Sequence, residues 1–238
     1  MSDLRIGLVA EGKTDLIIIE AALQSILGDR SFILQLLQPE TSAPFGAAGQ
    51  YGGGWGGVYR WCQQHLSMRG PTGENPSLLG FDLILLHVDA DVAGDTYQNA
   101  NIQNGWADLP CQAPCPPAAD SVDALRQVLC HWLDLTPGSA LPSHWVFCIP
   151  SMCSEAWLIA GLYRQGEPGI MEDIECNPAL VTWLSQRPIR ERKLVRGEKK
   201  QTSSYKAVAS RLTAAWHDVR NHCSQAQRFD DEVRAALA

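Results

Sequence analysis

Apolar residues along this chain fall into short runs, separated by polar breaks that contain glycine, proline or acids. "RIGLVAEG" (Arg5–Gly12) is an apolar run that closes in a Glu-Gly turn, the pattern of a buried strand. "KTDLIIIEAALQSIL" follows with apolar positions at helical spacing: Ile17, Ile18, Ala21, Ala22 and Ile26 would face a core, and Thr14 or Asp15 can cap the first turn. "SFILQLLQP" predicts a second strand. The glycine-rich "FGAAGQYGGGWGG" comes next, then a helix from Val58 to about Met68. "FDLILLHVDAD" is apolar on both faces, as central parallel strands usually are. Residues 94–121 show no apolar period and predict a long surface excursion. A helix from about Val122 to Leu133, a fourth strand "HWVFCIP" and a helix opening at "SEAWLIAGLY" complete the alternation. Beyond Gln165 the pattern changes to short helices, a basic block and an amphipathic helix from Tyr205.

Strands alternating with helices predict an α/β fold with a doubly wound, mainly parallel sheet and helices on both faces. The core would span residues 1–165, with a loop insertion at about 94–121. Residues 166–238 would form a helical, partly basic C-terminal extension packed on it.

The strand ends carry the chemistry. Open α/β sheets place their sites beyond the carboxyl ends of the strands. Glu11 follows the first strand, Asp89 and Asp91 the third, and Glu155 comes shortly after the fourth. Asp89 and Asp91 flank Ala90, so in an extended segment their side chains would leave on one side. Converging carboxylates repel. A divalent cation removes the conflict, and Mg²⁺ or Mn²⁺ suits carboxylate and water oxygens. Asp15 reads equally as a ligand or as a first-turn acid favoured by the helix dipole. Asp95 reads as a turn residue. His87 reads as packing within its strand, not as a base, and Trp157 as a core anchor.

The net charge of −7 is unevenly spread. Residues 1–186 hold 7 Lys and Arg against 20 Asp and Glu, whereas residues 187–211 hold 9 against 2. A basic block beside an acidic body fits a phosphate-binding surface next to a metal-holding one, or a solvated loop. The chain has no run of about 18 apolar residues and no signal-peptide pattern, so a cytoplasmic location and no membrane contact are expected. With nothing pointing to secretion, the eight cysteines are not expected to form disulfides. Cys130, Cys148 and Cys153 read as core residues. Cys111 and Cys115 are spaced loosely like metal ligands, but no second Cys or His pair follows.

Taken in order, "EGKTD", "HVDAD" and "SEAWLIA" resemble the three acidic motifs of Toprim-fold proteins. They are most similar to the Toprim-like domains of the overcoming-lysogenization-defect nucleases and related bacterial families, over roughly residues 5–165. The resemblance implies two-metal phosphodiester hydrolysis, with a possible place in anti-phage defence. It makes Glu11 a ligand or general base and Asp15 part of the first motif. Asp89 and Asp91 become the main ligands and Glu155 a second-ion ligand. It also implies a basic residue after the last acid, for which Lys199, Lys200 and Lys206 are candidates, to stabilise developing negative charge. The expected substrate is nucleic acid, DNA before RNA. The chain has no P-loop, so any ATPase or other defence-system partner would be a separate protein. The sequence leaves the oligomeric state open.

Two other readings stand beside the nuclease. One is a non-catalytic Toprim-like binding or regulatory subunit, with the basic block as its docking face. The other is a haloacid-dehalogenase-like phosphatase with Asp89 as nucleophile and Asp91 as acid/base. That reading needs a later acidic pair, and Asp230 and Asp231 follow no strand. The glycine-rich segment reads as a lid or a connector, in which Trp55 or Tyr51 could stack on a base. It lacks the dinucleotide fingerprint and the P-loop lysine.

Overall fold

The computed structural model describes residues 3–40, 49–70, 75–103, 105, 108–136, 141–163, 168–188, 193–197 and 199–238. Four strands, β1 (Leu4–Val9), β2 (Phe32–Gln38), β3 (Leu83–His87) and β4 (Trp145–Cys148), form an all-parallel sheet in the order β2-β1-β3-β4. Strand side chains alternate between two apolar layers. Ile6, Leu8, Leu83, Leu85, Val146 and Cys148 enter one, and Val9, Ile84, Leu86, Trp145 and Phe147 the other. Every β3 residue is buried, which explains its continuous apolar run.

One layer is covered by α1 (Lys13–Leu27), α4 (Glu155–Leu162), α7 (Thr202–His222) and α8 (Ser224–Ala236). The other is covered by α2 (Gly54–Ser67) and α3 (Ala118–Trp132). Gly7 of β1 faces this second layer. A Cβ there would meet Leu37 Cδ1 at 2.8 Å and Ile84 Cδ1 at 2.9 Å, so only glycine lets the side chains above it close. The remaining elements are α5 (Pro168–Met171), α6 (Leu180–Ser185) and a two-stranded antiparallel hairpin of β5 (Val195–Arg196) and β6 (Lys199–Lys200).

The C-terminal extension completes the first layer. Trp157 of α4 meets Trp216 of α7 edge-on at 5.3 Å and stacks on Phe229 of α8 at 5.7 Å, all three fully buried. Trp157 is thus the core anchor its sequence suggested. Truncating any of these rings costs about 3–5 kcal/mol, so residues 1–165 form the sheet but not a closed core.

Several sequence expectations need correction. The strand read into "FDLILLHVDAD" stops at His87, and Ala90–Gly94 form a 3₁₀ turn. Residues 94–121 are not simply a surface excursion, since Tyr97, Ile102 and Leu109 are buried beneath α2 and α3. Helix α2 starts at Gly54, earlier than Val58, and α3 at Ala118, earlier than Val122. The single helix expected from Tyr205 is two helices broken at Cys223. The N-cap of α1 is Gly12 with no side-chain capping bond, so neither Thr14 nor Asp15 caps it. Cys115 is disulfide-bonded to Cys176, with Cα atoms 5.5 Å apart, against the expectation of free thiols and away from any zinc pairing with Cys111. Cys130, Cys148 and Cys153 are buried and free. Residues 45–48 of the glycine-rich segment, and 189–192 and 198 of the basic block, lie outside the described residues. No described helix is long and apolar enough to cross a membrane.

Candidate functional site

The carboxyl edge of the sheet gathers the predicted acids from three adjacent strand ends. The Glu11 carboxylate, just past β1, accepts the Asp89 backbone N–H at 2.8 Å. Asp89, two residues past β3, accepts the Ser154 N–H on Oδ1 at 2.9 Å. Ser154, at the start of α4, donates its hydroxyl to Asp15 Oδ1 at 2.9 Å. Backbone bonds from Ala90 to Pro150 and from Asp91 to Met152 continue the β3–β4 pairing beyond the strands and hold the aspartate turn in place. Residues 139 positions apart in the chain are thereby joined directly by one serine hydroxyl.

Asp89 and Asp91 do not leave side by side from a strand, because the chain turns between them. Asp89 is buried, while Asp91 sits in the turn and is exposed. Their charges still meet. Although Asp91 as a whole residue keeps solvent contact, the groups crowded around its carboxyl push it up to about 7, first by desolvation and then through the charges of Asp89 and Asp95. Burial and the Asp89 charge hold Glu11 well above the ordinary carboxylate range. Asp15 is also raised, mainly by burial.

Two cations stand within this group. His87, completely buried at the end of β3, places Nε2 3.4 Å from Asp89 Oδ1. That is an ion-pair distance, long for a hydrogen bond, and neither ring nitrogen finds a hydrogen-bond partner among the described residues. Burial alone would lower its pKa, but Asp89, Asp15 and Glu11 raise it to about 9, which favours the cationic ring. It was read from sequence as plain packing, and that reading is incomplete. The second cation is Lys200 of β6. Its Nζ lies 2.8 Å from Glu155 Oε1 and 3.0 Å from Oε2, and the Tyr205 hydroxyl donates to Oε1 at 2.8 Å. Glu155 has no exposed surface. Its charge, with those of Asp15 and Asp89, raises Lys200 above the ordinary lysine range despite burial.

The three lysine candidates therefore separate. Lys200 enters the acidic group, Lys199 is exposed beside it on the hairpin, and Lys206 is exposed on α7 one residue past Tyr205. Asp95 ends the 3₁₀ turn and accepts the Trp55 indole N–H at 2.8 Å and the Asn99 amide at 2.8 Å. It serves the turn, as its sequence context suggested. Trp55 is buried, stacked on Trp132, and so not free to stack on a base. Tyr51 is half-buried against the second apolar layer. Gly54 donates its N–H to the Glu11 carbonyl at 2.9 Å, which brings the end of the glycine-rich segment to the edge of the site. Asp230 is buried in α8 and bound by Trp216, Arg220 and Arg234, on a helix that carries none of the clustered acids.

Sequence reasoning missed Ser154 and Tyr205. Ser154 had only a weak signal, a polar residue preceding the acid of a helix start. Tyr205 is the lone aromatic in "KKQTSSYK".

The donor set consists of hard carboxylate oxygens, and this suits Mg²⁺ or Mn²⁺ in kind. Among the described residues, however, no three His, Cys, Asp or Glu side chains already stand close enough together to enclose an ion. Comparisons with family models, curated proteins and solved structures return no match for this chain.

Proposed function

We propose that this chain is an Mg²⁺- or Mn²⁺-dependent phosphodiesterase acting on nucleic acid, with a Toprim-like arrangement of its acids. The observation that carries the reading is the bonded chain Glu11–Asp89–Ser154–Asp15, which joins acids that follow β1 and β3 through a serine that follows β4, at the carboxyl edge of a parallel sheet. Five carboxylates, Glu11, Asp15, Asp89, Asp91 and Glu155, face two cations, His87 and Lys200. The surplus is negative, and it must be met by bound protons or by a divalent ion.

Glu11, Asp89 and Asp91 would hold the ion. When bound, it supplies Lewis-acid polarisation of a phosphoryl oxygen. Glu155 takes a different part from the ligand expected of it: completely buried and doubly bonded, it fixes the Lys200 ammonium at the rim. There Lys200 can stabilise charge developing on a phosphate. Ser154 aligns Asp89 with Asp15, and His87 offsets the charge on Asp89 from beneath.

A second reading, a non-catalytic binding subunit, is favoured by the internal compensation of Glu155 and Asp89. The phosphatase reading lacks the later acidic pair it requires, since Asp230 is committed within α8. The test is incubation with supercoiled plasmid and with single-stranded RNA, in Mg²⁺, Mn²⁺ or EDTA. Metal-dependent cleavage that Asp89→Asn removes supports the hydrolase. Retention of nucleic acid without cleavage, unchanged by EDTA, would assign the binding subunit. Release of phosphate from a small monoester would instead assign the phosphatase.

A further inference from the structure

At the opposite edge of the sheet, where β3 and β4 begin, a cavity of about 100 Å³ opens between the ends of α2 and α3. Its wall is mostly apolar, with Leu78, Leu133, Leu135 and Trp145. The five residues of β3 span roughly 16 Å, so this cavity is well separated from the acidic edge and independent of what happens there.

The polar groups of the wall are one-sided. Asn75 Oδ1 accepts from the Ser77 N–H and hydroxyl, which orients the amide so that Nδ2 donates to His65 Nδ1 at 3.1 Å. Burial, with Arg69 nearby, lowers His65 to about 4, so it is neutral at physiological pH and carries its proton on Nε2. His144 Nε2 accepts the Trp145 indole N–H at 3.1 Å, which leaves its proton on Nδ1. The Arg69 guanidinium uses one nitrogen on the Leu133 carbonyl at 2.9 Å.

Several acceptors nearby are engaged. At the end of α3, the carbonyls of Leu129, Cys130 and His131 take backbone N–H groups, and that of Trp132 takes the Gln63 amide. At the end of α2, the Met68 N–H covers the Gln64 and His65 carbonyls, and the Arg69 N–H covers that of Leu66. What remains is an apolar cavity with donors from His65, His144 and Arg69, the last being the single charged side chain among the described residues of the wall.

We propose that this cavity binds a small monocarboxylate with an apolar or aromatic body. The body would fill the leucine and tryptophan surface, and the carboxylate would be received by Arg69 and the imidazole N–H groups. A neutral molecule of the same shape leaves the guanidinium without a counter-charge. A cation meets Arg69 directly.

Titration of the full chain with phenylacetate and phenylacetamide, followed by calorimetry, tests the assignment. Phenylacetate should bind saturably and at least about tenfold more tightly than the amide, the worth of one charge-assisted contact. Arg69→Gln should weaken phenylacetate about tenfold and leave the amide unchanged. Leu79→Trp places a larger ring at the rim, at a residue that is 67% exposed and so tolerant of change; it should block both ligands without shifting the melting temperature. Equal affinity for acid and amide would overturn the assignment. So would binding insensitive to both substitutions, or the lack of saturable binding by either probe.

Discussion

Lys200→Met isolates the most exposed assumption about the acidic edge: that Glu155 is tolerable in a fully buried position because Lys200 neutralises it. The ammonium lies 2.8 Å and 3.0 Å from the two carboxylate oxygens. At an effective dielectric of about 20, a pair at that distance attracts by roughly 6 kcal/mol before desolvation is subtracted. Removing one partner of a buried pair costs about 3–5 kcal/mol, because the other charge is left uncompensated. The Lys200 side chain is 29% exposed and the Tyr205 hydroxyl still donates to Glu155, so the low end applies, about 3 kcal/mol. For a chain of this size that corresponds to a fall in melting temperature of about 6–12 °C. The double variant Glu155→Gln with Lys200→Met removes the orphaned charge and should recover about half or more of the loss. Urea unfolding of the four proteins of the cycle, with m held constant, gives the coupling. A single-variant cost below about 1 kcal/mol, or a double variant as costly as the two single changes together, would refute the reasoning.

Other predictions follow from the same contacts. His65 is buried and lowered to about 4, against an ordinary 6.5, so the fold binds fewer protons than the unfolded chain in that window. Stability is full above about pH 6.5 and falls as the pH drops toward 4, by about 2 kcal/mol at pH 5; His65→Gln should flatten this part of a denaturation-versus-pH profile. Gly7→Val forces side-chain carbons against Leu37 and Ile84 and should cost about 1–3 kcal/mol in urea unfolding. Cys115→Ser opens a loop closed over 61 positions and should lower stability by about 2–4 kcal/mol under non-reducing conditions, with no further loss on adding a thiol reductant.

The parts of the fold that local pattern dictates were legible. The period in "KTDLIIIEAALQSIL" marks α1 residue for residue, and the unbroken apolar run of β3 announced a strand covered on both faces. What escaped was decided by distant contacts. Tyr97, Ile102 and Leu109 lie in a polar, proline-rich segment with no period, and become core only because Trp55, Tyr59 and Trp132 close over that segment. The start of α2 was hidden because Gly54, Gly56 and Gly57 suggest a loop. Yet Gly57 must lack a Cβ, since one there would stand 2.5 Å from the Gln38 amide and the Gly52 carbonyl. The Cys115–Cys176 pairing joins two turns whose proximity no local pattern encodes.

The site was legible as acids at strand ends, but the reason they can coexist was not. The charge argument from sequence supplied one missing cation, a metal ion. The structure supplies two of its own: His87, hidden inside an apolar strand, and Lys200, 45 residues beyond its partner Glu155. Neither could be assigned from sequence, because an imidazole in an apolar run looks like packing and three lysines compete within one basic block. Once these two are counted, the acids divide by burial. Glu155, completely buried, is held by protein groups alone, whereas Glu11 and Asp91 retain raised pKa values and contact with solvent. A proton or an external cation is needed only where the protein supplies no counter-charge of its own; on the proposed reading, an exchangeable ion therefore belongs at the Glu11–Asp89–Asp91 side of the cluster, with Glu155 holding Lys200.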